Sequence, residues 1–417
     1  MAPCFSNQQK IGLALTFLCL SEDEKKRKKR KWMKLWLKER ITLNHLNILR
    51  ILDSEDFRNF LRMDQDTFNE LLEMVRPMIT KKNTVMRQAV SAEERLIATL
   101  RFLATGRSYK DLRFSTVTSF QLLSKIIPET CWAIYKALKK TIKLPSSKYE
   151  WDMAAKSFQE QWQFHNCVGC MDGKHIIIEK PSGTGSLFYN YKGTFSVVLF
   201  AIVNANYEFI YVHTGSNGSM SDGGILKSTR FYEKLINDDL KLSESFILPG
   251  TNLTVPYVFL GDSAFALETN IMKPFPDKNI SKEKRIFNYR LCRARRVVEN
   301  AFGILASRFR VFRQPISVKI ENLDAIVLAS CALHNFLRQK SKIYWTPSSV
   351  DYEDLQHQIF RTGDWRQQGA LTPLHRTGER NTYEGQQVRK TLMDYFNTSG
   401  KVCFQEKMVE IVMETRE

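Results

Sequence analysis

No stretch of this chain stays apolar long enough to cross a bilayer. The one concentrated run, Ile11 to Leu20, falls well short of the ~20 residues a spanning helix needs. It also makes a poor secretory leader. No basic region precedes it, no small-residue cleavage pattern follows it, and it leads directly into Glu22-Asp23-Glu24. Disulfide-framework spacing is missing too: the eight cysteines are scattered, as suits a reducing compartment. Cys167 and Cys170 form a C-x-x-C, but no second Cys or His pair stands at zinc-ligand distance. The pair reads as two small residues on a buried strand, with a redox or zinc role as the lesser alternative. Internal repeats and long low-complexity tracts are absent as well. Acidic residues are the last shortage, 44 against 62 Lys plus Arg, which leaves a net charge of +18. That surplus favours a polyanionic partner, because each neutralised phosphate releases counterions. Nucleic acid comes first and an anionic membrane surface second.

What is present can bury a sizeable core: 417 residues at 43% hydrophobic content predict two or three structural units. Residues 1–53 read as a basic tail that becomes helical. Its block Lys25 to Lys31 is either a nuclear-import or DNA-backbone signal or a solvated charge run. Over 54–150 the pattern is helical. Phe68, Leu71, Leu72 and Val75 share a face, and Ser91-x-x-Glu94 predicts a capping box with Gly106 as the stop. A short helix from Tyr109, a turn at Phe114-Ser115 and a further helix through Leu123 and Ile127 resemble a helix-turn-helix, or a bundle that only supports the next domain. In the first case Thr116, Thr118, Ser119 and Gln121 would face a major groove.

Over 160–340 the texture changes to short β-branched runs separated by turns. Strands are predicted at Cys167 to Glu179, Phe195 to Val203, Phe209 to Thr214 and Val255 to Leu260. Helices are predicted at Ile225 to Ile236, Arg293 to Arg310 and Leu323 to Gln339, which gives an α/β layer with a mixed sheet and flanking helices. Residues 341–417 read as a mostly irregular tail with one docked helix, Val388 to Tyr395.

Three carboxylates stand out within this region. Asp172 interrupts an apolar strand, where an uncompensated charge would cost several kcal/mol, so something must balance it. Asp262 ends the run from Tyr257, at the strand edge where open sheets place ligands. Glu299 lies on a helix with Arg295 and Arg296 one turn before it, an arrangement that suits either a metal ligand beside a phosphate-binding flank or an ordinary helical ion pair. For Asp172 and Asp262 the plain alternative is a capping or turn aspartate. Phosphodiester cleavage requires an activated water and a stabilised leaving oxyanion, which two divalent ions bound by carboxylates supply.

Ordered motifs then carry a family resemblance. Gly169-Cys-Met-Asp172-Gly-Lys-His175, Tyr189-Asn-Tyr-Lys192-Gly-Thr-Phe-Ser196 and Gly215-Ser-Asn-Gly-Ser-Met-Ser-Asp222-Gly-Gly are followed by Gly261-Asp262-Ser-Ala-Phe265. After these come Phe287-Asn-Tyr-Arg290-Leu-Cys-Arg293-Ala-Arg295-Arg296-Val-Val-Glu299-Asn-Ala-Phe-Gly303 and Leu333-His334-Asn335. The series resembles the nuclease domain of PIF/Harbinger-type transposases, of the DDE superfamily. The resemblance implies an RNase H-like fold in which Asp172, Asp262 and Glu299 bind two Mg²⁺ or Mn²⁺ ions. It further implies cleavage at terminal inverted repeats, strand transfer, a Myb/SANT-like DNA-binding companion protein and work on DNA in the nucleus, with the cytoplasm as a second location. Asp222 and His175 would support the metal site, although Asp222 equally suits a helix N-cap, and His334 reads as structural. Lys192, Arg290 and Arg293, with Arg295 and Arg296, would meet phosphate, with surface ion pairs as the alternative. Handling paired ends together would suit a homodimer. The chain departs from the family pattern at Ser263 and Ala266, where an acidic residue and a proline are frequent, and at Val402-Cys-Phe-Gln405, where a tryptophan-glutamine ending is frequent. Neither change touches the three carboxylates.

Two other functions share these features. A host-domesticated relative would keep the fold and serve as a DNA-binding or chromatin-associated module without cutting. A phosphohydrolase for small substrates would account for the carboxylates but not for the charge. Neutralising any of the three acids is expected to leave the fold intact, on the premise that they form a bare cluster of like charges.

Overall fold

The structure is a computed structural model. It describes residues 6–23, 34–85, 87–220, 222–242, 246–276, 280–341, 344–355, 357, 359–367, 371–374 and 381–414, without the side chains of 17–23, 222 and 412–414. The basic block Lys25 to Lys31 lies outside the described residues. Among those described, no helix is long and apolar enough to cross a membrane.

Helix α1 (Gln65–Ile79) starts where Asp64 accepts a hydrogen bond from the Thr67 amide at 2.8 Å, and it buries Phe68, Leu71, Leu72 and Val75. In α2 (Ala92–Thr105) the Ser91 hydroxyl and the Glu94 carboxylate cap each other's amides, and Gly106 closes the helix at φ 69°. Next come α3 (Tyr109–Ser115) and α4 (Phe120–Leu138). The groove-facing arrangement expected of a helix-turn-helix is not the one observed. Thr116 and Thr118 are buried, and their hydroxyls donate to the carbonyls of Leu112 and Thr116. The apolar face of α4, from Leu123 to Leu138, packs into the main core.

Helix α5 (Lys148–Trp162) leads into the sheet. Strands β1 (Cys167–Ile177), β2 (Ser196–Val203) and β3 (Phe209–Asn217) pair antiparallel. On the other side of β1, β4 (Val258–Leu260) and β5 (Ile271–Met272) run parallel. The order 3-2-1-4-5 is that of an RNase H-like mixed sheet, the expected fold class. A late strand, β6 (Thr372–Pro373), pairs with β1 at Lys174 and His175, beyond the end of β4.

Strand β2 is apolar from Val197 to Val203 because both of its faces are covered. Leu199, Ala201 and Val203 join Cys170 and Leu260 on one face, under α6 (Lys282–Arg308) and α7 (Leu323–Lys340). Val198, Phe200 and Ile202 join Met171 and Phe259 on the other, with Trp151 of α5 and Phe231. Phe200, Phe231, Phe259 and Phe265 are each less than 2% exposed, and each such burial contributes roughly 2–3 kcal/mol. Beyond α7 the chain returns with Trp365 and β6 beside the end of β1, and α8 (Tyr383–Asn397) packs against α6, so that this region contributes more order than one docked helix.

Buried histidines give this core an acid limit. His334 is wholly buried, with its Nε2 donating to the Tyr207 carbonyl at 2.8 Å and its Nδ1 accepting from the Tyr344 hydroxyl at 3.0 Å. Burial holds its pKa down to about 4, and burial likewise lowers His45 and His175 to about 4. The unfolded chain, titrating near 6.5, binds protons that the native state refuses. Stability is therefore full above pH 6.5 and is lost as pH falls towards 4, by about 3 kcal/mol for His334 alone. Urea midpoints measured across that interval should fall steeply; a flat profile would contradict the neutral buried histidines.

Candidate active site

Alternation along β1 puts Cys170, Asp172 and Lys174 on one face. Cys170 pairs with Leu260 of β4, and Asp172 and Asp262 each stand two residues further along. The parallel register thus places these two carboxylates side by side, where β4 ends and Asp262 turns to accept from the Ala264 amide at 2.9 Å. Helix α6 crosses the same face, and the Cys170 thiol donates to the Ala294 carbonyl at 3.3 Å. The next residue, Arg295, and Glu299 one turn on then point towards Asp172. Asp172, Asp262 and Glu299 line one open cleft of about 580 Å³, together with Lys174, Arg295 and Arg366.

The cleft is not a bare acidic cluster. Lys174 Nζ lies 2.8 Å from Asp172 Oδ2, and Arg295 Nη1 lies 3.9 Å from the same oxygen. Arg295 also pairs with Glu299, so the helical ion pair and the shared cleft coexist. Arg366 donates to Glu299 Oε2 at 3.3 Å while its Nε binds both oxygens of Asp351 at 3.0 and 2.9 Å. Burial pushes the Glu299 carboxyl up, but the charges of Arg295, Lys174 and Arg366 outweigh it and hold the group below the usual range. For Arg295, burial favours the neutral form, and Glu299, Asp172 and Asp262 more than reverse this. These cations overturn the premise that neutralising an acid leaves stability untouched: Asp172 is 4% exposed, and losing a charged partner of that kind costs about 2 kcal/mol.

In kind, though not in spacing, the donors nonetheless suit a hard divalent cation. They are carboxylate oxygens, and Asp172 Oδ2 is buried without a well-directed hydrogen bond among the described residues, close to Lys174 though it is. Among those residues no three acidic, His or Cys side chains are grouped closely enough to hold a metal. Lys174 and Arg295 provide the counter-charge instead.

The remaining expected residues divide clearly. Lys192 is exposed beside Tyr191, which lines the cleft. Arg290 and Arg293, read as phosphate contacts, are interior. Arg290 is 0% exposed and donates to Gly400 O, Gln405 Oε1 and Gln163 O, while Arg293 donates to Glu353 and Trp162 O. Arg296 also pairs inward, with Glu353 at 2.8 Å. Three substrate-facing expectations, Arg290, Arg293 and Arg296, fail here because long apolar stems carry these guanidinium groups into polar holes left by the C-terminal segment. His175 is buried against the Ser196 hydroxyl at 2.9 Å. The side chain of Asp222 lies outside the described residues.

Sequence reasoning missed Arg366, Asp351 and Trp365, because the tail that holds them has no periodicity. A usable signal lay in the motif after Glu299. Asn300 accepts from the Asp351 amide at 2.8 Å and donates to its carbonyl at 3.0 Å, which anchors the tail. Gly303 leaves room for the indole, since a Cβ there would sit 2.4 Å from Trp365 Cγ. Gly303→Ala should therefore unseat Trp365 and with it Arg366, costing about 1–3 kcal/mol. An unchanged urea midpoint would refute this contact.

Residues 171–335 match the family model described as DDE superfamily endonuclease. The chain is 23% identical over 293 residues to Protein ALP1-like of Arabidopsis thaliana, covering 68% of this chain and 71% of that protein. It is 24% identical over 292 residues to the Arabidopsis thaliana protein named Antagonist of Like Heterochromatin Protein 1, covering 67% and 72%. No solved structure gives a significant match. Residues 171–335 are thus similar to a DDE superfamily endonuclease domain, and the two relatives extend a similarity over 67–68% of the chain.

Proposed function

We propose that the protein is a divalent-metal-dependent endonuclease acting on DNA phosphodiester bonds, with Asp172, Asp262 and Glu299 as the ligands of Mg²⁺ or Mn²⁺. The observation that carries this reading is the convergence of these three remote carboxylates on one open cleft of a domain similar to the DDE superfamily endonucleases. When bound, the metal ions would supply an activated water and a stabilised leaving oxyanion. The chain's own residues do the rest. Arg366 orients Glu299, Lys174 and Arg295 offset the acids in the resting cleft, and Tyr191 and Lys192 stand where a strand would enter. Strand transfer at terminal inverted repeats, a Myb/SANT-like companion, nuclear location and a homodimer belong to the same reading.

A second reading is favoured by one feature of the cleft: Lys174 and Arg295 already balance the carboxylates. A domesticated relative would bind DNA or chromatin without cutting it, in line with the heterochromatin-related name of one relative. The test is a Mn²⁺-supported nicking and strand-transfer assay on candidate terminal repeats. It compares the parent with Asp172→Asn, Asp262→Asn and Glu299→Gln. Cutting by the parent alone supports the nuclease; equal cutting by all four rejects the assignment. Duplex binding without cutting by the parent selects the second reading.

A further inference from the structure

Three segments that are remote in sequence bring arginines together away from the cleft. Arg101, near the end of α2, donates from Nη1 to the Phe60 carbonyl at 3.0 Å, and its Cζ stacks 4.1 Å from the Phe60 ring. This contact ties α2 to the helix Ser54–Leu61, which carries Arg58 and is closed by Arg62 at φ 66°. Gly106, at the other side of the same helix end, approaches the turn after α6 so closely that a Cβ there would lie 3.0 Å from the Arg310 carbonyl. Arg313 of that turn donates from Nε to the Ala306 carbonyl at 2.9 Å. Arg107 and Arg310 are exposed, and the other four are half-buried.

Carboxylates are scarce around this group. Arg107 pairs with Asp111 at 3.4 Å, and Asp64 lies near Arg58. Among the described residues, Arg58, Arg62, Arg101 and Arg310 form no ion pair. The Nε of Arg62 is buried without a hydrogen-bond partner there. Burial, together with the charges of Arg310, Arg308, Arg101 and Arg313, holds Arg62 below its ordinary value. Crowded cations of this kind raise the free energy of the folded chain unless a polyanion neutralises them.

We infer that Arg58, Arg62, Arg101, Arg107, Arg310 and Arg313 form a phosphate-backbone surface for duplex DNA, separate from the carboxylate cleft. The inference rests on the DNA reading above, but not on cutting. Guanidinium groups match phosphate oxygens in a fork geometry, and half-buried cations bound to main-chain carbonyls are held in place before the strand arrives. Sequence is not read by such contacts; they fix where the duplex lies.

The test uses the full chain and fluorescence anisotropy with a short random-sequence duplex over a salt series. The parent is compared with the combined Arg62→Asn, Arg107→Ser, Arg310→Ser variant and with Arg310→Ser alone. Each lost phosphate contact flattens the dependence of log K on log salt by about 0.9, so the triple variant should flatten it by roughly 2–3 and the single by about 1. Affinity at low salt should drop about 10-fold or more in the triple variant. The melting temperature of the free variants should stay level or rise as repulsion is relieved. An unchanged salt slope overturns the inference, as does weakened binding explained by a lowered melting temperature in both variants. Binding of an acidic peptide in place of the duplex also overturns it. A parent that cuts nothing, yet shows the slope difference, supports this surface and counts only against the nuclease reading.

Discussion

Manganese-supported nicking is expected to fall on the order of 10³-fold or more in Asp172→Asn, a loss of about 4 kcal/mol of transition-state stabilisation. Two effects combine in that number. The carboxylate offers hard oxygens where the cleft must hold a divalent cation, and a neutral amide is a far weaker ligand. It also balances Lys174 at 2.8 Å and Arg295 at 3.9 Å. With the charge gone, both cations face the space that a phosphate oxygen should share with metal. Binding and chemistry can therefore be told apart. Duplex affinity should hold or improve as the cleft becomes more positive, while cutting vanishes. The cost to stability of about 2 kcal/mol should appear in urea melts. Retained cutting would remove Asp172 from the site. Equal losses of binding and cutting would mean that the fold, rather than the chemistry, had been damaged.

A paired control follows from the same geometry. Lys174→Met removes the nearest counter-charge of Asp172 and keeps the aliphatic stem. Divalent ions should then raise the melting temperature more than they do in the parent, because a ligand that binds only the native state stabilises it by mass action. An equal response in the two proteins would show that Lys174 does not compete for the cleft.

Much of the sheet was legible because its pattern is local. Val197 to Val203 is apolar throughout, as a strand covered on both faces must be, and the motif around Asp262 marks a strand end. The three carboxylates could be picked out by motif, but their neighbours could not. Lys174 reads as an unremarkable polar residue until the pleat places it beside Asp172. Arg366 lies 67 residues beyond Glu299, in a segment without periodicity, and the anchoring of Asp351 by Asn300 and of Trp365 by Gly303 brings the two together. The turn at Thr116 to Thr118 failed in the opposite direction. Local spacing suggested an exposed reading face, whereas the threonine hydroxyls bind the backbone and the apolar side of α4 lies in the core. Long-range burial decided these cases, and single-sequence spacing does not encode it.

The other large effect concerns the face of α6 that meets Glu353. Glu353 is 2% exposed and accepts from Arg293 Nε at 2.9 Å, Arg296 Nη2 at 2.8 Å and the Tyr289 hydroxyl at 2.7 Å. Burial alone would push its carboxyl up, but Arg296 and Arg293 hold it below the ordinary value. Its contribution is thus present above about pH 4.5 and is lost as pH falls through the folded value. Glu353→Ala would leave two guanidinium groups, 8% and 10% exposed, without their counter-charge, and is expected to cost about 3–5 kcal/mol. Glu353→Gln, which keeps the shape, should cost less. Replacing Glu353, Arg293 and Arg296 together by apolar residues of similar volume should recover most of the loss, because the dominant penalty is an unpaired buried charge and not a missing contact. Urea denaturation of the four proteins decides the matter; a loss under about 1 kcal/mol in Glu353→Ala would mean that water reaches the pair. The same helix presents Arg295 and Glu299 to the cleft from an adjacent face, roughly 100° away around its axis. A helix released from Glu353 should then cut more slowly even where it remains folded, and the triple apolar variant should restore cutting together with stability.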